Sequence, residues 1–178
     1  MSPPALGQLS RAGEVTPGMR RQLVDCWVEV TNAGGAAGFP FPPVHADDVA
    51  PVLDELVRGL EPRRSRLVLA IDGAEVAGWA LLVRGPSPVV AHWGEVRHLQ
   101  TRLAHRGRGL GAALMRELRR IARDEMDLEQ LHLAARGGVG LESFYGRLGW
   151  REVGRWPGAL RLGPGDDRDE VLMLLAPL

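Results

Sequence analysis

The chain has 178 residues, 45% of them hydrophobic, and its 22 basic side chains balance 22 acidic ones. It therefore has the apolar mass for one domain over residues 1–178 and no net field that would favour nucleic acid or an anionic membrane. Every basic residue is an arginine, which excludes acylation of a lysine of its own, and the single cysteine, Cys26, excludes an internal disulfide and any cysteine-rich metal cluster. No apolar run approaches membrane-spanning length and nothing near Met1 resembles a signal peptide, so a reducing cytoplasm is the expected location.

Ala5 to Arg11 reads as a first strand. Thr16-Pro17 opens a helix to about Thr31, with proline in the first turn, where its missing N–H is not needed. Met19, Leu23, Cys26, Trp27 and Val30 recur along it and place Cys26 in a core rather than in a reactive site. Asn32 to Val44, with three glycines and three prolines, reads as a long loop carrying two aromatics, Phe39 and Phe41. A second helix follows a cap at Asp47 or Asp48, with Val49, Val52, Leu53, Leu56, Val57 and Leu60 as its apolar stripe and Pro51 in its first turn.

Arg66 to Ile71 and Glu75 to Arg84 are predicted strands joined by the hairpin signal Asp72-Gly73. Pro86 and Pro88 interrupt the chain before the next strand, Ala91 to Thr101. The run Thr101 to Gly111 then crowds three glycines between that strand and an amphipathic helix, which is marked by Leu110, Leu114, Leu118, Ile121 and Ala122 and reaches about Met126. Gln130 to Ala135 is a strand, and Gly140 to Leu148 is a short helix stopped by Gly149. Trp150 to Trp156 and Asp169 to Leu175 are the last strands, separated by a Gly/Pro/Asp loop. The result is a mixed α/β chain: strand, two helices, three antiparallel strands, helix, strand, helix, two strands.

The glycine-rich run is built to hold phosphate, because glycine lets backbone N–H groups turn toward an anion and the following helix adds the partial positive charge of its N-terminus. It is not a nucleoside-triphosphate loop, since Gly109 and Gly111 lead into Ala112 and Ala113 rather than Lys-Ser/Thr, and the dinucleotide fingerprint disagrees in spacing and position. Arg106, Gly109 and Gly111 do fit Arg/Gln-x-x-Gly-x-Gly/Ala, which resembles the pyrophosphate loop of the GCN5-related N-acetyltransferases, or GNAT family. The element order is the one that family has. The resemblance implies its acyl-CoA N-acyltransferase fold, a central, mostly antiparallel seven-stranded sheet flanked by four helices.

It also implies acetyl-CoA as the acyl donor. Main-chain groups of Arg106, Gly107, Arg108, Gly109, Leu110, Gly111 and Ala112 would hold the pyrophosphate, and Leu99 and Thr101 would meet the pantetheine arm and the thioester carbonyl. Ser143 to Trp150 looks like the family's Phe-Tyr-x-x-x-Gly-Phe segment, which makes Tyr145, the only tyrosine, the candidate proton donor to the departing thiolate; packing against Leu141, Phe144 and Leu148 is the competing reading. Glu95, where several family members place a glutamate, is the candidate base for the acceptor amine, against an ion pair or plain solvation. Strand alternation predicts that Glu95, Arg97, Leu99 and Thr101 share one face.

Many relatives carry a second carboxylate at the end of the next strand, where this chain reads Leu133-Ala134-Ala135-Arg136. His92, His98, His105 and His132 lack metal-ligand spacing, so no metal is expected, and His105 reads as a surface or capping residue. Trp79, Trp93 and Trp156 are either core or pocket wall, with Phe39, Phe41 and Trp93 the candidates for acceptor contact. Gly34 to Phe39, Glu95-Val96 with Leu99, and Pro157-Gly158 are most similar to the tabtoxin-resistance type, which implies a small amine-bearing acceptor such as an antibiotic or toxin. The expected partners are that acceptor and coenzyme A, with a homodimer admissible. Two alternatives stay open: a non-catalytic acyl-CoA-binding sensor, and a protein or peptide N-acetyltransferase.

Overall fold

A computed structural model describes residues 4–35, 38–39 and 42–178. The elements are β1 (Ala5–Leu9), α1 (Pro17–Asn32), α2 (Ala46–Arg58), β2 (Ser65–Asp72), β3 (Glu75–Arg84), β4 (Trp93–Thr101), α3 (Leu110–Asp124), β5 (Gln130–Arg136), α4 (Leu141–Gly146), β6 (Arg151–Gly163) and β7 (Asp166–Leu175). One seven-stranded sheet runs in the order β1-β2-β3-β4-β5-β7-β6. Every neighbouring pair is antiparallel except β4 with β5.

The sheet separates two cores, as a sheet covered on both faces requires. On one face Leu23, Trp27 and Val30 of α1 and Val49 and Leu53 of α2 pack on Leu67, Leu69, Trp79 and Leu81. On the other, the α3 stripe Leu110, Leu114, Leu118 and Ile121 packs with Tyr145 and Trp150 on Val68, Ala80, Leu82, Val96 and Leu133. Thr16 caps α1 by accepting from the Met19 N–H at 3.2 Å. Cys26 is fully buried, and burial pushes its thiol up to about 12, so it is a core residue.

Two boundaries differ from the sequence expectation. The N-cap of α2 is His45 rather than an aspartate, and Asp48 reaches back to accept from the His45 N–H at 2.8 Å. Pro51 is therefore the sixth helical residue, beyond the first turn, and one backbone bond of α2 is missing. The Gly/Pro/Asp segment expected as a loop is mostly strand: β6 and β7 continue as one long hairpin, taking up irregularity in register shifts at Trp156/Leu160 and Arg161/Gly163.

Candidate functional site

The parallel pairing of β4 and β5 covers only Trp93–Gln130, Gly94–Leu131 and Glu95–His132. Beyond it the two strands part. The cleft that opens between them has a volume of about 1010 Å³ and is walled by Val96 to Thr101 on one side and Leu133 to Ala135 on the other. The phosphate-type loop closes one end, α4 lines a flank, and Val30, Gly34, Gly35 and Gly38 come down from the α1 side.

At the loop, Gly107 and Gly109 have φ of +73° and +77°, and a Cβ on either would point into open space. Gly109 is the N-cap of α3, so the unpaired N–H groups of the first helical turn sit at the cleft. Arg106, Gly107, Gly109, Leu110, Gly111 and Ala112 all line it. Arg108 does not; its guanidinium turns to His105 Nδ1 at 3.2 Å and to Asp72 at 3.7 Å. His105 is buried rather than on the surface, its Nε2 lying 3.3 Å from Glu75 and its Nδ1 3.5 Å from Asp72. Arg102 joins Glu29 at 2.9 Å and Glu75 at 3.3 Å. The loop is thereby tied through charged side chains to the β2–β3 hairpin and to α1.

β4 carries a bulge that the alternation argument misses. Leu81 pairs with Arg97 while Trp79 pairs with Gln100, so β4 spends one extra residue, and His98 takes φ of +55°. The faces consequently switch. Glu95 and Arg97 lie opposite Val83 and Leu81 on the α1/α2 side, whereas Leu99 packs with the α3 core. Glu95, Arg97, Leu99 and Thr101 therefore do not share one face, although Glu95, Leu99 and Thr101 all line the cleft.

Glu95 is held by Arg97, whose Nε donates to Oε2 at 2.7 Å and whose Nη2 reaches the same oxygen. Oε1 remains unengaged among the described residues. His98 stacks against Trp27 at 4.8 Å and Trp79 at 5.8 Å, and burial, aided by Arg97, pushes it down to about 4, so the imidazole is neutral.

Tyr145 lines the cleft from α4 and is 7% exposed. Its ring packs on Phe144 at 5.0 Å and Trp150 at 6.0 Å, and burial pushes its phenol up to about 12. The core and cleft readings of this residue are compatible: the ring is packed and the residue borders the cavity.

Of the acceptor candidates, Trp93 is outside the cleft and packs on His132 at 4.2 Å. Phe39 sits on Trp27 at 5.2 Å and borders a smaller pocket of about 310 Å³ with Ala134, Arg136 and Leu160. Phe41 lies outside the described residues. Trp79 is fully buried and Trp156 is 67% exposed, away from both. Arg116 of α3 and Arg147, just beyond α4, also line the cleft; neither is legible in the sequence, because an arginine on or beside a helix carries no local signal that separates pocket wall from solvated surface. No cluster of three potential metal ligands occurs among the described residues.

The acetyltransferase (GNAT) family model matches residues 26–150. No curated protein matches the chain. Among solved structures, ribosomal-protein-alanine N-acetyltransferase from Brucella melitensis is similar at 18% identity and a TM-score of 0.74, over 97% of this chain and 99% of that one. A structure described as a phosphinothricin N-acetyltransferase is similar at 20% identity and a TM-score of 0.73, over 97% and 98%. Aminoglycoside 6'-N-acetyltransferase complexed with coenzyme A follows at 16% identity and a TM-score of 0.71, over 97% and 96%. At such identities the likeness is one of fold.

Proposed function

The chain belongs to the GNAT family of acetyltransferases, and from that premise we propose that it transfers an acetyl group from acetyl-CoA directly to a primary amine of a small molecule. The observation that carries this reading is a single cleft, between the parted ends of β4 and β5, on which the phosphate-type loop, Tyr145 and Glu95 converge. Both the phosphinothricin and the aminoglycoside enzymes, by their names, act on small amine-bearing molecules.

The residues fit the coenzyme. Open space at Gly107 and Gly109 admits a pyrophosphate against the main chain, and the N-terminus of α3 supplies the complementary dipole. When bound, acetyl-CoA brings the activated thioester; the protein supplies placement and proton handling. Leu99 and Thr101 flank the pantetheine path through the cleft. Tyr145, protonated over the whole neutral range, donates toward the departing sulfur. Glu95 uses its Oε1 to take the amine proton, directly or through water, while Arg97 orients the carboxylate by its hydrogen bond to Oε2.

A coenzyme-release assay with pooled small amines tests the proposal. Thiol release that needs both acetyl-CoA and an amine supports it; binding of acetyl-CoA with no release under any amine replaces it with the sensor reading.

A further inference from the structure

Along β5, Leu131, Leu133 and Ala135 enter the α3 core, so strand alternation turns Ala134 and Arg136 to the α1 face. There they border the cavity of about 310 Å³, which adjoins the cleft because Gly38, Ala134 and Ala135 line both. Phe39, Leu160 and Leu162 give this side cavity apolar walls, two guanidiniums, Arg136 and Arg161, also line it, and no carboxylate does among the described residues. Arg161 is paired with Asp167 at 2.7 Å. Arg136 makes no ion pair among the described residues: Glu170 stands opposite it on β7 without bonding to it, and Asp166 is held by Arg168. Its Nη1 donates to the carbonyl of Gly34, a cleft residue, at 3.2 Å, which places the guanidinium at the rim between the two cavities. Nε is sealed in without a partner, whereas Nη2 donates to nothing among the described residues and stays open to solvent. Burial and then the Arg168 charge push the guanidinium below its ordinary value against the pull of Asp166, as an under-compensated charge requires. A neutral donor would hold the Gly34 carbonyl equally well, so the fold alone does not call for a charge here.

We propose, building on the acetyl-transfer reading, that the side cavity receives a carboxylate of the acceptor and that Arg136 selects for it. The acceptor then has an amine at one end, which reacts in the cleft, and a carboxylate at the other. A carboxylate brings both the oxygen that Nη2 lacks and the counter-charge that the guanidinium lacks. A neutral amide could accept from Nη2 but would leave the charge unanswered, and a second ammonium would meet two guanidiniums and no carboxylate. The apolar walls keep water from the ion pair, which strengthens it, and pack on the hydrocarbon between the two ends of the acceptor. Glu95 is level with His132 on β5, four residues from Arg136, so the two charged groups are separated by about 13 Å of strand. Side chains reaching in from both ends shorten that span to one a short amino acid can bridge.

The test uses ω-amino acids of graded chain length, each matched to its isosteric ω-amino carboxamide and to the diamine of the same length. Calorimetry on the protein saturated with coenzyme A reads binding away from the phosphate-type loop, and initial rates with acetyl-CoA read transfer. At one chain length the carboxylate should exceed the carboxamide by roughly tenfold or more, because a charge-assisted hydrogen bond is about twice as strong as a neutral one. The diamine should bind more weakly than either. Arg136→Gln removes the charge and should erase the preference for the carboxylate. Arg136→Lys keeps the charge and should retain part of it.

A parent that favours the carboxamide or the diamine at every length overturns the subsite, as does a carboxylate preference that survives Arg136→Gln. Equal weakening of carboxylate and carboxamide in Arg136→Gln also overturns it, and leaves Arg136 only the task of tying Gly34 to β5. Arg136-dependent binding of carboxylates without transfer to any amine keeps the subsite and removes the acetyl-transfer reading. Transfer without an Arg136-dependent preference does the reverse.

Discussion

Replacing Gly109 by glutamate separates strain in the loop from contact with the coenzyme, provided Gly165→Glu is measured beside it. Both glycines have nearly the same positive φ, +77° and +76°, and neither has a heavy atom within 4 Å of where a Cβ would stand. A non-glycine residue in that conformation costs about 1–2 kcal/mol. For a domain of this length each kcal/mol moves the melting temperature by about 2–4 °C, so both variants should melt roughly 2–8 °C lower. Their response to coenzyme A should differ. At a hundred times the dissociation constant the parent gains about 2.7 kcal/mol, or roughly 5–11 °C.

Gly165→Glu, in the β6–β7 turn, should keep that whole gain. Gly109→Glu places a side chain and a negative charge at the start of α3, in the position proposed for the pyrophosphate. A hundredfold loss of affinity there leaves about 0.4 kcal/mol of stabilisation, close to no shift. Thermal melts of the three proteins with and without coenzyme A give the answer. A full shift in Gly109→Glu refutes the loop assignment, and equal loss in both variants means that strain alone accounts for the effect.

Tyr145→Phe keeps the packing on Phe144 and Trp150 and should lower turnover by roughly 10²-fold or more with an unchanged coenzyme shift; equal loss of binding would return the residue to the core alone. Because burial raises the Tyr145 phenol, the stability it confers is complete below the ordinary phenol value of about 10 and is lost as pH rises through about 12. Alkaline melts of Tyr145→Phe should lack that loss. Glu95→Gln should slow turnover at neutral pH and partly recover as free amine becomes abundant; a pH–rate profile identical to the parent's makes the Arg97-paired carboxylate structural. Cys26, buried and raised to about 12, should resist alkylation in the native protein near pH 8 and react only as denaturant opens α1; rapid native labelling would contradict its place in the core.

Local signals made much of this legible in the sequence. The glycines of the Arg106 to Gly111 loop, the Thr16-Pro17 helix start, the Asp72-Gly73 hairpin and the α3 stripe each state their conformation within a few residues, and all four recur in the structure. The features that were missed depend on distant partners. The β4 bulge is set by how β3 meets it across the ladder, so His98 gives no local warning, and alternation put Leu99 and Thr101 on the wrong face beside Glu95. The β6–β7 hairpin runs through Pro157 and Gly158, turn-forming residues that the ladder accommodates by shifting register. His105 reads as a surface residue until Asp72 and Glu75 fold back over it. Trp93 reads as a pocket aromatic until His132 covers it.

Mass spectrometry after incubation with acetyl-CoA labelled in its acetyl group tests acetyl transfer to a small amine most directly, using a pool of small primary amines with a peptide pool in parallel. The account predicts that the label moves to a small amine in one-to-one proportion with free thiol, and that Gly109→Glu abolishes it. Label confined to peptides, or thiol released without any labelled amine, would contradict it.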